Sequence, residues 1–236
     1  MSPRDADAAP IKTAPAPSTR TAARRAPTAA TQPARVQRNR KSRHLISPAL
    51  VLHLAEAVRD GLGGTALAEM LDAAEMDHLP TGAELVPEAK VLMFHNALRD
   101  LYPDRAAELL IAGGEQSALD LMAEEISDRA TAMLKSAPWP IAAWLISKTI
   151  KKSAWTFSGT GAFRVRHTLD FEIQDNPLVR GHTAQAPACH WHRGYFGKLY
   201  RIMVHPQLEC FETACCATGA PSCRFEIRLR SGASFE

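Results

Sequence analysis

Cysteine is absent from the first 188 residues of this 236-residue chain, and all five thiols fall between Cys189 and Cys223. No apolar segment of the kind that drives secretion follows Met1. An odd thiol count without a secretory leader argues against a disulfide framework and for reduced thiols or metal ligands in the cytoplasm. No run of 18 apolar residues occurs, which excludes a membrane-spanning helix. A dinucleotide fingerprint and a phosphate-binding P-loop are also missing. Gly159 and Gly161 fall between two predicted strands, the wrong context for a dinucleotide phosphate. The cysteines do not follow a C-x2-C-x2-C cluster pattern. No carrier of hydride or electrons is therefore visible, and no nucleotide cofactor is expected.

Charge is divided unevenly. Residues 1–44 hold ten Lys/Arg and two Asp, whereas the remaining 192 residues hold 18 basic and 23 acidic groups. The first 44 residues are rich in Ala, Pro, Thr and Arg and nearly devoid of large apolar side chains. Such a segment buries too little surface to offset its ordering entropy and is expected to be disordered. It would serve as a solubilising tail or as a weak contact with anionic lipid or an acidic partner, placing the protein in the cytoplasm or peripherally at a membrane. Its Arg-rich, acid-poor character also fits an organellar transit peptide. An acidic body and a tail without interleaved aromatics argue against nucleic acid.

A single folded domain is expected over residues 45–230. Ser47-Pro48 opens a helix to about Asp60, followed by helices over Thr65–Met76 and from Pro87 to Leu101. Gly113-Gly114 is expected to split the next stretch into helices 104–112 and 115–126. Shorter helices follow at 127–136 and from Pro140 to Lys152. Strands are predicted at Trp155–Ser158 and Phe163–Ile173, a helix at 190–204, and strands at 207–216 and 222–229. The fold class is α+β: N-terminal helices, then an antiparallel sheet with one inserted helix.

Four candidate metal ligands have the spacing Cys-x22-Glu-x2-Cys-x7-Cys: Cys189, Glu212, Cys215 and Cys223. Thiolates and carboxylates suit a closed tetrahedral Zn²⁺ site that staples a fold. The same thiols would also serve as buried cysteines without metal, or bind another soft metal. Cys215 and Cys216 are adjacent strand residues, so only one faces a given ion. Cys189 begins a helix, where the dipole is expected to lower its pKa. Trp139, Trp144, Trp155, Phe157 and Trp191 supply flat surfaces that would fill a core or line a pocket for a flat apolar ring. Lys148, Lys151 and Lys152 lie near Trp144 and Trp155 and would neutralise carboxylates on such a ligand, or form a solvated helix face. His190 and His192 flank Trp191 and are candidates for a substitute zinc ligand or an axial ligand to Mg²⁺. His95, His167 and His182 have no partner visible in the sequence.

Several segments together resemble the 4-vinyl-reductase domain family. They are Ala154-Trp155-Thr156-Phe157-Ser158-Gly159-Thr160-Gly161, Asn176-Pro177-Leu178, Cys189-His190-Trp191-His192, and the run from Glu212 to Ile227 with its Glu-x2-Cys-x7-Cys-x-Phe element. The resemblance spans roughly residues 45–230. It implies a compact α+β small-molecule-binding domain, akin to aromatic-sensing domains of bacterial transcription activators and to subunits of a vesicle-tethering complex. In zinc-bearing sensors of this kind the ligands are three Cys and one Glu, which fall here on Cys189, Glu212, Cys215 and Cys223. The resemblance further implies a place in bacteriochlorophyll biosynthesis, with a tetrapyrrole intermediate such as a Mg-porphyrin or divinyl chlorophyllide bound by Trp144, Trp155, Phe157, Lys148, Lys152 and His192. The chain would present this pigment to pathway enzymes, its partners. Alternatives are a reductase of the C8 vinyl group and a ligand-sensing or protein-interaction module. A homodimer is a further implication.

Overall fold

A computed structural model describes residues 44–230; the basic tail, and with it the expectations of disorder and lipid contact, lies outside the described residues. The order is β1 (Leu45–Ile46), α1 (Ala49–Leu62), α2 (Gly64–Ala73), β2 (Val86–Pro87), α3 (Glu88–Leu101), α4 (Pro103–Glu125), α5 (Asp128–Ser136), α6 (Trp139–Ser153) and the single turn α7 (Trp155–Ser158). Then come β3 (Ala162–His167), β4 (Asp170–Gln174), α8 (His190–Met203), β5 (Leu208–Ala214), a 3-10 turn at Cys216–Thr218, and β6 (Ser222–Leu229). The α+β expectation holds: helices come first, and an antiparallel sheet of order β3-β4-β6-β5 follows with α8 inserted. A two-residue ribbon, β1 with β2, ties the start of the domain to the start of α3.

Two glycines produce the largest departure from the sequence pattern. Gly113-Gly114 does not split a helix; both lie inside the 23-residue α4. A Cβ on Gly113 would sit 3.1 Å from the Leu54 backbone of α1, and one on Gly114 would sit 2.0 Å from the Trp191 carbonyl oxygen of α8. From the other side, a Cβ on Gly194 would meet the Ile111 carbonyl oxygen at 2.2 Å. The glycines let three helix backbones cross in close contact, so tertiary packing outweighs a helix-propensity cost of about 1 kcal/mol each.

Two strand assignments also change. Trp155–Ser158 is helical, not extended. Its hydroxyls bond backward, Thr156 Oγ1 to the Ser153 carbonyl (2.8 Å) and Ser158 Oγ to the Ala154 carbonyl (2.8 Å), which prolongs the course of α6. Residues 163–173 form a hairpin rather than one strand, pairing Phe163 with Ile173 and Val165 with Phe171. Side-chain alternation runs unbroken through the turn at Thr168-Leu169, which hides it from a period-two reading.

The aromatic part of the core lies between α8 and the sheet, with α7 against it. Phe157, Phe171, Phe196, Tyr200 and Phe225 are all fully buried there. The rings meet edge-on or tilted, as in Phe157–Phe196 (5.5 Å, 86°) and Phe196–Phe225 (5.3 Å, 64°). These geometries suit aromatic quadrupoles. Near the ribbon, buried Glu88 accepts hydrogen bonds from Thr160 N (2.5 Å), Thr160 Oγ1 (2.8 Å) and Arg180 Nη1 (2.9 Å), which fixes the Gly159 turn and the loop after β4 against α3.

Candidate functional site

Cys189 caps the N-terminus of α8, Glu212 lies on β5, Cys215 follows β5 and Cys223 lies on β6. The fold brings these four together, with one ligand atom from each within 4.8 Å of all the others. Cys189 Sγ is 3.4 Å from Cys223 Sγ and 3.8 Å from Cys215 Sγ. Each sulfur receives an N–H: Asn176 Nδ2 to Cys189 (3.3 Å), Ala188 N to Cys215 (3.5 Å) and Cys216 N to Cys223 (3.3 Å). Glu212 Oε2 accepts from Cys189 N at 2.8 Å, while its buried Oε1 has no hydrogen-bond partner among the described residues.

Without a metal, negative charge concentrates on one member of the group, Cys215. Hydrogen bonds from Cys189 and Cys223 depress the Cys215 thiol far below its ordinary value. Burial pushes Glu212 up to about 8, and contact with Cys215 adds to the rise. Burial also drives Cys189 well above its ordinary value, opposite to the expected effect of the helix dipole. The thiol is enclosed by protein, and desolvation exceeds a dipole worth at most about 2 kcal/mol. Arg99 of α3 lies beside the cluster and donates to Asn96 Oδ1 (2.8 Å) and to the Ala188 carbonyl (3.4 Å). Burial lowers its pKa, and the charges of Cys189, Cys215 and Glu212 oppose that shift.

These features fit a thiolate-bound cation. Three sulfurs and a carboxylate oxygen have the right number and type for tetrahedral Zn²⁺, and the N–H donors and the adjacent guanidinium moderate excess negative charge. Cys210 and Cys216 lie outside the group. So does His190, whose Nδ1 is 3.4 Å from Arg193 Nη1.

The residues expected to bind a tetrapyrrole fall in two places. Trp155, Phe157 and His192 are interior, with Phe157 and His192 fully buried. Phe157 (5.9 Å), Trp191 (5.3 Å), Phe196 (6.0 Å) and Phe225 (5.4 Å) surround the His192 ring. Neither His192 nitrogen has a partner in hydrogen-bonding geometry among the described residues. Burial lowers its pKa to about 3, although the nearby Phe157 carbonyl favours the protonated form. Trp144, Lys148 and Lys152 are instead exposed on α6. Lys148 Nζ lies 5.4 Å from the Trp144 ring centre. The structure thus separates Trp144, Lys148 and Lys152 from the interior group.

Sequence reasoning missed Arg99, although it sits four residues after His95 on the helix face that carries Phe94 and Leu98 into the core. It also missed a Ser-His-Asp array in which His53 Nδ1 meets Ser117 Oγ (2.7 Å) and His53 Nε2 meets Asp120 Oδ2 (2.8 Å). Ser117 lies in the middle of α4, whose amides are engaged in the helix and cannot form an oxyanion hole. The array therefore ties α1 to α4.

The V4R domain family matches residues 169–229, which cover β4, α8, β5 and β6 and contain all four cluster residues and His192. The bacteriochlorophyll synthase 23 kDa chain of Cereibacter sphaeroides is 36% identical over 186 residues, covering 78% of this chain and 90% of the relative. This chain belongs to the family of the bacteriochlorophyll synthase 23 kDa chain. The Rhodobacter capsulatus protein of that name is 31% identical over 184 residues, 77% of this chain and 86% of the relative. The 23 kDa chain family also shares a fold with more distant proteins. An H-NOX protein from S. oneidensis aligns with TM-score 0.51 at 14% identity, over 79% of this chain and all of that one. A K. algicida H-NOX protein aligns with TM-score 0.50 at 10% identity, over 81% of this chain and 100% of its own length. At such identities the likeness concerns the fold alone.

Proposed function

We propose that this protein acts in bacteriochlorophyll biosynthesis by binding a tetrapyrrole intermediate, a Mg-porphyrin or divinyl chlorophyllide, in the aromatic interior beside His192, and by presenting it to other enzymes of the pathway. The pathway is supported by relatives named as chains of a bacteriochlorophyll synthase. That name also supports association with pathway enzymes. The observation that carries ligand binding is His192 itself: a fully buried imidazole, neutral at physiological pH, enclosed by rings and without a well-formed hydrogen bond. Leaving such a group unpaired costs about 1–3 kcal/mol. A metallated ring would supply the missing acceptor of its lone pair, and Trp155 and Phe157 would supply stacking surface.

Phe157 packs edge-on against His192 and Phe163. Admission of a flat ring requires α7 to withdraw Phe157 from α8, so binding and movement of residues 154–161 are coupled. Zn²⁺, held by Cys189, Glu212, Cys215 and Cys223, would fix the start of α8 to the β5–β6 hairpin. The residue at the third position of α8, His192, is thereby held in place. The metal's role is structural, and no residue is assigned covalent chemistry.

The test is titration of zinc-loaded protein with Mg-protoporphyrin, followed by absorbance. The wild type is expected to give a saturable shift, His192→Phe to lose the spectral signature of axial nitrogen ligation, and Trp144→Ser to bind as the wild type does. Identical spectra for wild type and His192→Phe would overturn the assignment of His192.

A further inference from the structure

Helix α6 carries a surface that neither the proposed ligand site nor the metal site uses. Its inward face is Ala142, Ala143, Ile146, Ser147 and Ile150, all buried. Its outward face exposes Ile141 (51%), Trp144 (49%) and Leu145 (38%). These three are neighbours at helical spacing, and Lys148 and Lys151 continue the exposed surface toward the C-terminus. Isolated exposed apolar residues are ordinary, but a contiguous tryptophan, isoleucine and leucine bordered by lysines is not.

Charge identifies the occupant. From Lys135 to Leu169 the chain has six Lys/Arg and no Asp or Glu, although the body from residue 45 onward is net acidic. Helix α6 packs beside β3, which exposes Arg164 and Arg166, the latter paired with Asp170 (3.5 Å) and Glu172 (3.9 Å), so that Arg164 and the α6 lysines carry the excess positive charge. The entry point of the basic N-terminal segment is close by. That segment joins the described chain at β1, and β1 packs on α7, the turn that directly follows α6. His44, the first described residue, has its carbonyl bonded by Glu88 N, and Glu88 in turn binds Thr160.

We infer that the outer face of α6 docks the protein onto an anionic lipid bilayer, with Trp144, Ile141 and Leu145 entering the headgroup boundary and Lys148 and Lys151 meeting lipid phosphates. Tryptophan and aliphatic side chains edged by lysines have the composition of an interfacial helix. Lys148 over the Trp144 ring keeps its apolar stem on the surface and its ammonium at the rim. Docking by this face keeps His192 in the interior and is independent of tetrapyrrole binding.

Flotation of the full-length chain with phosphatidylglycerol–phosphatidylcholine vesicles and with pure phosphatidylcholine vesicles tests the inference. The wild type is expected to float with the anionic vesicles and not with the neutral ones. Each lysine near an anionic surface contributes about a fivefold gain in partitioning, so Lys148→Glu with Lys151→Glu should weaken binding by about tenfold or more. Ile141→Ser with Trp144→Ser should weaken it similarly, with the residual binding abolished by salt because only the basic segment remains. Both double variants must retain the wild-type circular dichroism spectrum. Wild-type flotation by both variants overturns the inference and leaves the tail as the sole contact. A dimer that becomes a monomer on these substitutions, with lipid binding unchanged, also overturns it and assigns the face to a second copy of this chain.

Discussion

At the scale of the residue, the cluster at Cys189, Glu212, Cys215 and Cys223 makes the sharpest demands. Cys215→Ser or Cys223→Ser is expected to abolish zinc retention in elemental analysis and to lower the melting temperature by several degrees, because the binding energy of a structural ion is folding energy. An unchanged metal content and melting temperature would remove zinc from the account. Asn176→Ala tests the surrounding support: it takes away the N–H that points at Cys189 Sγ and should weaken zinc affinity by about 10–100-fold in a chelator competition. The four cluster residues were legible because thiols are rare in this chain and their spacing is tight. Arg99 was not, and Asn176 stood out only as part of a family segment and not as a support of Cys189, since a cation or an amide acting through a neighbouring residue leaves no spacing signature. Trp144 and Lys148 could not be separated from Trp155 and Phe157 by sequence either. All lie within one short stretch, and only the placement of α6 and of the separate turn α7 sends Trp144 and Lys148 outward and Trp155 and Phe157 in.

At the scale of the element, the α1–α4–α8 crossing sets the frame on which the site is built. Gly114→Ala and Gly194→Ala should each cost about 2–4 kcal/mol in denaturant unfolding, since each methyl would meet backbone atoms that cannot move aside. Gly64→Ala, at a helix start with nothing within 4 Å of the added carbon, serves as the control and should be neutral or stabilising. Equal costs at Gly64 and Gly114 would contradict the close crossing. Most helices were legible from apolar periodicity and from proline at their first turn. The uninterrupted α4 was not, because glycine that ends a helix and glycine that admits a neighbouring backbone look alike until the neighbour is placed. The hairpin at residues 162–174 was hidden for a related reason: its short turn keeps Phe163, Val165, Phe171 and Ile173 in one alternating pattern.

At the scale of the whole molecule, buried histidines govern the response to acid. His95 and His192 are both held near a pKa of about 3 by burial, against an ordinary value of 6.5. Between those values the unfolded chain binds more protons than the folded one. Stability is therefore fully present above pH 6.5 and falls as the pH drops, by about 1.4 kcal/mol per pH unit for each histidine. In metal-free protein the raised Glu212 and the depressed Cys215 act in opposite directions across this window and largely offset. Denaturant midpoints from pH 7.5 to 4.5 should decline steeply, and His192→Phe should remove about half of the slope. A flat profile would contradict the burial of both rings.

The pH slope and the proposed metal staple both concern the frame around His192; the central claim is that a tetrapyrrole enters that frame. The most direct measurement is titration of zinc-loaded protein with divinyl chlorophyllide, with and without NADPH, read by absorbance. A saturable shift that leaves the vinyl group intact in both conditions is expected for a protein that binds and presents the pigment, and the absence of any shift at pigment excess, or conversion to the ethyl product, would contradict it.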